Sequence, residues 1–302
     1  MCVIAVKYFK NIGWVGAKNR DRNYQPKINI VQSNRMGVQR LYIDDELTRY
    51  TEGLNEFGVC ILSAALSVKD DEKESEKIEP GQRKNGYMSP DGKTIRDALL
   101  LKSPSDAVKK IIEKELSGST FVFNDKECYI IEGGFTVKKA DASKNRPRKY
   151  IYTVKQLDAV DGNFAVRTNH GIQLPQLGYQ PNSDDEEKAL SRKSSELRRK
   201  YAHSNVAKCS DPTEMMNALA VFPDKNKFMN PIRLGDVSKG EMVTTGQLQL
   251  VPFEKTMHYR PLYSHIEVKY NKINNPKSKT FFEIISSKKL LGFKDYIKSR
   301  AQ

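Results

Sequence analysis

The chain has 302 residues, 38% of them hydrophobic and 29% charged, which is enough to bury a real core while leaving a polar surface. Its 51 Lys and Arg against 37 Asp and Glu leave a formal charge of +14, which fits an anionic partner or, more plainly, a lysine-rich soluble protein. The basic residues are spread along the chain without paired Cys/His ligands or an RNP-like aromatic strand, so nucleic acid is not an expected partner. The longest apolar stretch, about 57–66, is too short to span a bilayer.

Residues 2–9 (CVIAVKYF) are β-branched and aromatic and predict a strand beginning at the second residue. Asn11-Ile12-Gly13 predicts a turn, and Trp14–Asp21 a returning strand. A strand this early ties down a terminus that would otherwise fray. Further strands are expected near 28–32, 38–43 and 57–66. Residues 69–93 are dense in charge, with Gly and Pro, and predict a long loop or disordered insertion.

Two helices are expected next, over Thr94–Lys102 and Ser103–Leu116. In the second, Ser103 serves as N-cap with Pro104 at the first helical position. Residues 120–123 and 128–132 predict a hairpin around Asn124-Asp125-Lys126. Strands at 149–155 and 163–168 precede a charged helix over 184–203. Asp211, Pro212 and Glu214 start another helix carrying Met215, Leu219 and Phe222. Strands near 243–251, 256–260, 264–270 and 279–285 complete the chain. With consecutive strands hairpin-linked and helices packed outside, this order predicts α+β layers of mainly antiparallel sheet in one domain over 1–302, interrupted by the charged insertion.

The four cysteines, Cys2, Cys60, Cys128 and Cys209, are widely spaced with no C-x-x-C. Zinc is not expected, nor is any other metal or cofactor. The opening residues lack the basic region of a secretory signal, so a soluble cytoplasmic protein with free thiols is expected.

Cys2 is the first candidate for chemistry. Removal of Met1 would place a thiol and a primary amine on one residue. With reference pKa values near ~8 and ~8.5, each is partly in its reactive form at neutral pH. The amine can take the thiol proton and later return it to a leaving amine, which needs no histidine. Lys18, Asn19, Arg20 and Asp21 follow on the returning strand. A carboxylate there can hold the new ammonium group, and a cation can lower the thiol pKa or meet a substrate carboxylate. Each also has the plainer reading of a salt-bridged strand end. Thr168-Asn169-His170-Gly171 closes a later strand, where the Asn169 amide can donate to an oxyanion or simply make a turn. His170 invites a Cys–His pairing, although loop histidines are more often structural. His203, His258 and His265 have no metal-ligand spacing.

Together these segments resemble the N-terminal nucleophile hydrolases of the choloylglycine hydrolase, penicillin V acylase and acyl-CoA:penicillin acyltransferase group. The Met-Cys start followed by Lys18-Asn19-Arg20-Asp21 looks like that family's opening Cys and its Arg-Asn-x-Asp strand. Residues 52–59 (EGLNEFGV) resemble its Gly-Met-Asn-Glu-x-Gly-Leu segment. Residues 118–134 resemble its hairpin ending in Glu, and Thr168-Asn169-His170 its Thr-Asn segment. Ser195 and Arg198 follow the acyltransferase branch.

The resemblance implies a four-layer αββα sandwich and a linear-amide hydrolase or acyltransferase with Cys2 as nucleophile. It further implies that Asp21 holds the Cys2 amine and that Asn169 serves the oxyanion hole, with Lys18 and Arg20 in the catalytic group. Ala65 falls where a second oxyanion donor is usual, and Ala65 and His170 would face a small, possibly anionic amide substrate. Two departures stand out. Lys18 replaces an arginine, and Gly240-Glu241-Met242-Val243 has no counterpart of a late catalytic arginine of the hydrolase branch. A catalytically silent binding protein with a basic surface is the competing reading, and self-association is left open.

Overall fold

The computed structural model describes residues 2–66, 90–136, 149–179, 186–262, 265–270 and 281–284. Two large sheets lie face to face. One has the order β10-β1-β2-β11-β12-β14, the other β13-β3-β4-β5-β6-β7-β8-β9. In chain order the strands are β1 (Cys2–Phe9), β2 (Gly13–Arg22), β3 (Lys27–Arg35), β4 (Val38–Asp45), β5 (Thr51–Asn55), β6 (Cys60–Ala64), β7 (Gly118–Phe123), β8 (Cys128–Thr136), β9 (Lys149–Leu157), β10 (Phe164–Arg167), β11 (Val243–Val251), β12 (Thr256–Pro261), β13 (His265–Tyr270) and β14 (Phe281–Ile284). Helices α1 (Pro90–Ala98) and α2 (Pro104–Glu113) separate β6 from β7, and α3 (Glu186–Lys208) with the short α4 (Met215–Ala218) separates β10 from β11.

Successive side chains of a strand point to opposite faces, and the burial pattern follows that alternation. Ile4, Val6, Trp14, Leu41, Leu62, Phe121, Phe123 and Leu248 meet between the sheets. Val3, Ala5, Val15, Ala17 and Val166 point the other way, onto α3 and α4 through Ala202, Val206, Met215 and Leu219. On the outside of the second sheet, Ile61, Val122 and Ile131 pack on Ile95, Leu99, Val108 and Ile111 of the α1–α2 region. The layers therefore run helix, sheet, sheet, helix, an α+β arrangement. β1 and β2 are covered on both faces, which is why the apolar run at 2–6 is nearly continuous.

Several expected boundaries move. The helix expected over Thr94–Lys102 starts at Pro90, so residues 90–93 belong to its first turn rather than to the charged insertion; 67–89 lie outside the described residues. Gly92, read as a loop residue, lets this helix touch the β4–β5 connection: a Cβ there would sit 1.9 Å from the Arg49 carbonyl oxygen. The Ser103 cap forms as expected, accepting from Asp106 N at 3.2 Å. The helix expected over 211–222 is a 3-10 turn, Pro212–Glu214, and a single α-turn. The strand expected over 57–66 begins only at Cys60, and a separate β5 precedes it. β13 and β14 are not hairpin partners. Each joins a different sheet, β13 parallel to β3 and β14 parallel to β12.

Candidate active site

Cys2 sits on β1 opposite Arg20 of β2, and β2 in turn pairs with β11. The register between β2 and β11 slips at Thr244–Gly246, a bulge beside the segment that carries the charges. Lys18, Asn19, Arg20 and Asp21 are each no more than 1% exposed. Four consecutive polar residues buried on a central strand demand partners on both faces.

Alternation sorts them. Even-numbered positions share the inter-sheet face with Cys2. Lys18 Nζ is paired with Glu52 and donates to the Ser63 carbonyl at 2.5 Å. Arg20 reaches Glu52 at 2.9 Å and Asp45 at 3.4 Å. Arg22 Nε lies 3.2 Å from Asp45, whose carboxylate also accepts from the Tyr24 hydroxyl at 2.9 Å. Arg22 Nη1 lies 3.9 Å from the Cys2 sulfur. Three cations thus face two carboxylates, and the thiol stands at the uncompensated end.

The consequence is a thiol unlike the others. Burial by itself would raise the Cys2 pKa, but Lys18, the chain's amino group and Arg22 outweigh burial and bring it down to about 7. The thiols of Cys60 and Cys128 are pushed well up by burial, and burial takes Cys209 up to about 11. All four are free.

Odd-numbered positions face the helices. Asp21 is paired with Arg198 of α3, accepts from Thr244 Oγ1 at 2.8 Å, and has Arg233 Nε 4.0 Å away. Burial first, and the neighbouring Arg198 charge second, bring Arg233 down to about 9 against the pull of Asp21 and Cys2. Asn19 holds the same layer in place, donating to the Leu219 and Pro231 carbonyls at 2.7 and 2.8 Å.

The Cys2 main-chain nitrogen donates to Asn169 Oδ1 at 2.7 Å. Asn169 Nδ2 donates to the Ala65 carbonyl at 2.7 Å, so Ala65 enters as an acceptor. Asn169 is therefore the residue that meets the Cys2 nitrogen, where the resemblance gave that part to Asp21. His170 points to the opposite face. Its Nδ1 lies 2.8 Å from Ser195 Oγ, and burial first, then Arg192, Arg199 and Arg167, push its pKa down to about 3. The structure brings Cys2, Lys18, Arg20, Asn169 and Ala65 together, with Asp21 and His170 on the far sides of their strands.

These are two covered sheets with a cysteine at the end of the first strand. The chain is similar to a solved C2A mutant of a conjugated bile acid hydrolase from Clostridium perfringens, at 11% identity, over 95% of this chain and 99% of that one, with a TM-score of 0.40. So distant a likeness transfers no chemistry. No family model matches the chain, and no curated protein matches it.

Sequence reading missed Arg22, Asp45, Glu52 and Arg233 as parts of this site. The available signal was the run Lys18–Arg22 itself, four of whose five residues are charged although the strand is covered on both sides. No arginine occupies 240–243, but Arg233, from the loop before β11, reaches the Asp21 carboxylate.

Proposed function

We propose that this chain is a cysteine-nucleophile amidase of linear C–N bonds, built as an N-terminal nucleophile hydrolase and working through an acyl-enzyme on Cys2 after Met1 is removed. The observation that carries the reading is the Cys2 thiol: its pKa is near 7 while the other three are raised, and a guanidinium lies 3.9 Å from the sulfur.

In this reading the freed α-amine keeps the Asn169 Oδ1 contact and takes the thiol proton. The thiolate is held by the surplus charge of Lys18 and Arg22 and attacks the amide carbonyl carbon. One Asn169 N–H is committed to Ala65. The other is free to meet the oxyanion, an interaction whose loss costs about 3–4 kcal/mol in comparable sites. The ammonium then protonates the leaving amine, the C–N bond breaks, and a thioester remains. Water attacks it with the amine as base and releases the acid. An amine attacking instead of water makes the same site an acyltransferase. The surplus cation and the basic chain favour a substrate with an anionic end.

A second reading, a catalytically silent binding protein, is favoured by one feature. Cys2 is only 5% exposed, and a cavity lies on the opposite face of the segment that follows β10. Intact mass of natively produced protein, followed by incubation with N-acyl p-nitroanilides, separates the two. The amidase reading expects Met1 absent, an acyl adduct on Cys2, and no adduct in a folded Cys2→Ala variant. Met1 retained, with iodoacetamide labelling Cys2 no faster than Cys128, leaves the silent reading standing.

A further inference from the structure

Thr168 and His170 point away from Cys2, and behind them lies a cavity of about 560 Å³ between the 170–175 turn and α3. Among the described residues its charged lining is Arg192, Lys193, Arg199 and Lys200 against one carboxylate, Glu196. Arg192 spends Nε on Glu196 at 2.6 Å and Nη1 on the Tyr179 carbonyl at 2.8 Å. Arg199 has no hydrogen-bonding partner among the described residues, and its Nε is buried. A buried, unsatisfied guanidinium nitrogen beside three further cations is costly without a counter-anion.

The histidine completes the picture. His170 is neutral, and Ser195 Oγ lies 2.8 Å from its Nδ1 while accepting the Asn169 N–H at 3.1 Å. Thr168 Oγ1 donates to the Ser195 carbonyl at 3.1 Å. Ser195 Oγ in turn donates to Thr168 Oγ1 at 3.0 Å, so the hydroxyls of Thr168 and Ser195 hold the Nδ1 side of the ring. The other ring nitrogen, Nε2, has no partner among the described residues, and His170 lines the cavity.

We propose that this cavity binds a small organic phosphate, with the phosphoryl group on Arg199 and Arg192, and the apolar part of the ligand on Ile172, Pro175 and Leu197. A phosphate monoester carries about −1.5 to −2 charges at neutral pH and three acceptor oxygens, which matches two forked cations. The site is independent of the chemistry at Cys2, because it occupies the other face of the same segment.

The test is titration calorimetry of the full chain at fixed ionic strength, first with inorganic phosphate and then with phenyl phosphate. Saturable binding is expected, tighter for phenyl phosphate. Arg199→Gln should weaken it roughly tenfold or more, the loss of one charge-assisted contact. Lys225→Gln, which removes an equal charge from an exposed residue outside the cavity lining, should leave it unchanged. Glu196→Gln should tighten it severalfold, and being half exposed this variant keeps its fold even if Arg199→Gln does not. Non-saturable binding, equal losses in Arg199→Gln and Lys225→Gln, or a Glu196→Gln variant that binds no tighter overturns the proposal.

Discussion

Cys2 owes its lowered pKa to a charge imbalance. Lys18, Arg20 and Arg22 are held against Glu52 and Asp45 between the sheets, and the thiolate supplies the missing negative charge. A depressed acid pKa means that the charged form persists as pH falls to about 7 and is lost below it. Alkylation of Cys2 by iodoacetamide should therefore rise with a midpoint near 7. Replacing one of these cations, Arg22→Gln, should move that midpoint up by about one unit and slow labelling at pH 7 severalfold, since an opposite charge at this range shifts a pKa by about 1–3 units. A pH-rate profile of labelling, read by mass spectrometry, decides it. Asp21 makes the complementary case on the helix side. Asp21→Asn leaves Arg198 and Arg233 facing each other in the interior. Breaking such a buried pair costs about 3–5 kcal/mol, readable as a shift in the urea midpoint.

The β1–β2 hairpin positions both faces of the site, and its turn depends on one glycine. Gly13 has φ +87°, and a Cβ there would lie 2.0 Å from the backbone oxygen of Asp125 in the β7–β8 turn, which accepts from Trp14 N at 3.2 Å. Gly13→Ala should cost about 2–4 kcal/mol, combining the left-handed backbone penalty with overpacking. Chemical denaturation checks the magnitude. This hairpin and the one at 118–136 were legible in the sequence, because β-branched and aromatic runs flank short turns. The capped start of α2 was legible for a similar local reason, Ser103-Pro104 followed by Asp106. What escaped is non-local. Pro90 and Gly92 read as loop residues, yet Pro90 begins a helix and Gly92 permits its close approach to Arg49. β13 and β14 follow β12 like the remaining strands of a meander, but the chain changes sheet after Pro261, and nothing in local periodicity records which sheet a strand joins. Within the site, Cys2 and Asn169 could be named from their segments. The partners Glu52, Arg198 and Arg233 are brought in from 32 to 212 positions away and carry no motif that announces them.

Across the whole molecule the space between the sheets is divided. One end is apolar, around Trp14, Phe121 and Phe123; the other is an ion-paired cluster around Glu52. A second carboxylate spans the layers farther along: Glu132 of β8 pairs with Arg167 of β10 at 3.0 Å and accepts the Ile172, Gln173 and Leu174 N–H groups at 2.9, 2.7 and 3.1 Å. That fixes the turn bearing His170, just as Glu52 fixes the strand bearing Lys18 and Arg20. The two sheets are thus locked to each other by charges placed where the site is, so stability and thiol chemistry should respond together. Glu52→Gln removes the carboxylate shared by Lys18 and Arg20 and should destabilise the fold by about 3–5 kcal/mol, because buried Lys18 loses its carboxylate and buried Arg20 the nearer of its two. The same change enlarges the positive surplus facing the sulfur, so the Cys2 labelling midpoint should fall below 7, opposite to Arg22→Gln. Both quantities can be read from one preparation, by urea unfolding and by the pH dependence of alkylation. A protein that loses stability while its midpoint stays put would mean that the cluster braces the sheets without tuning the thiol.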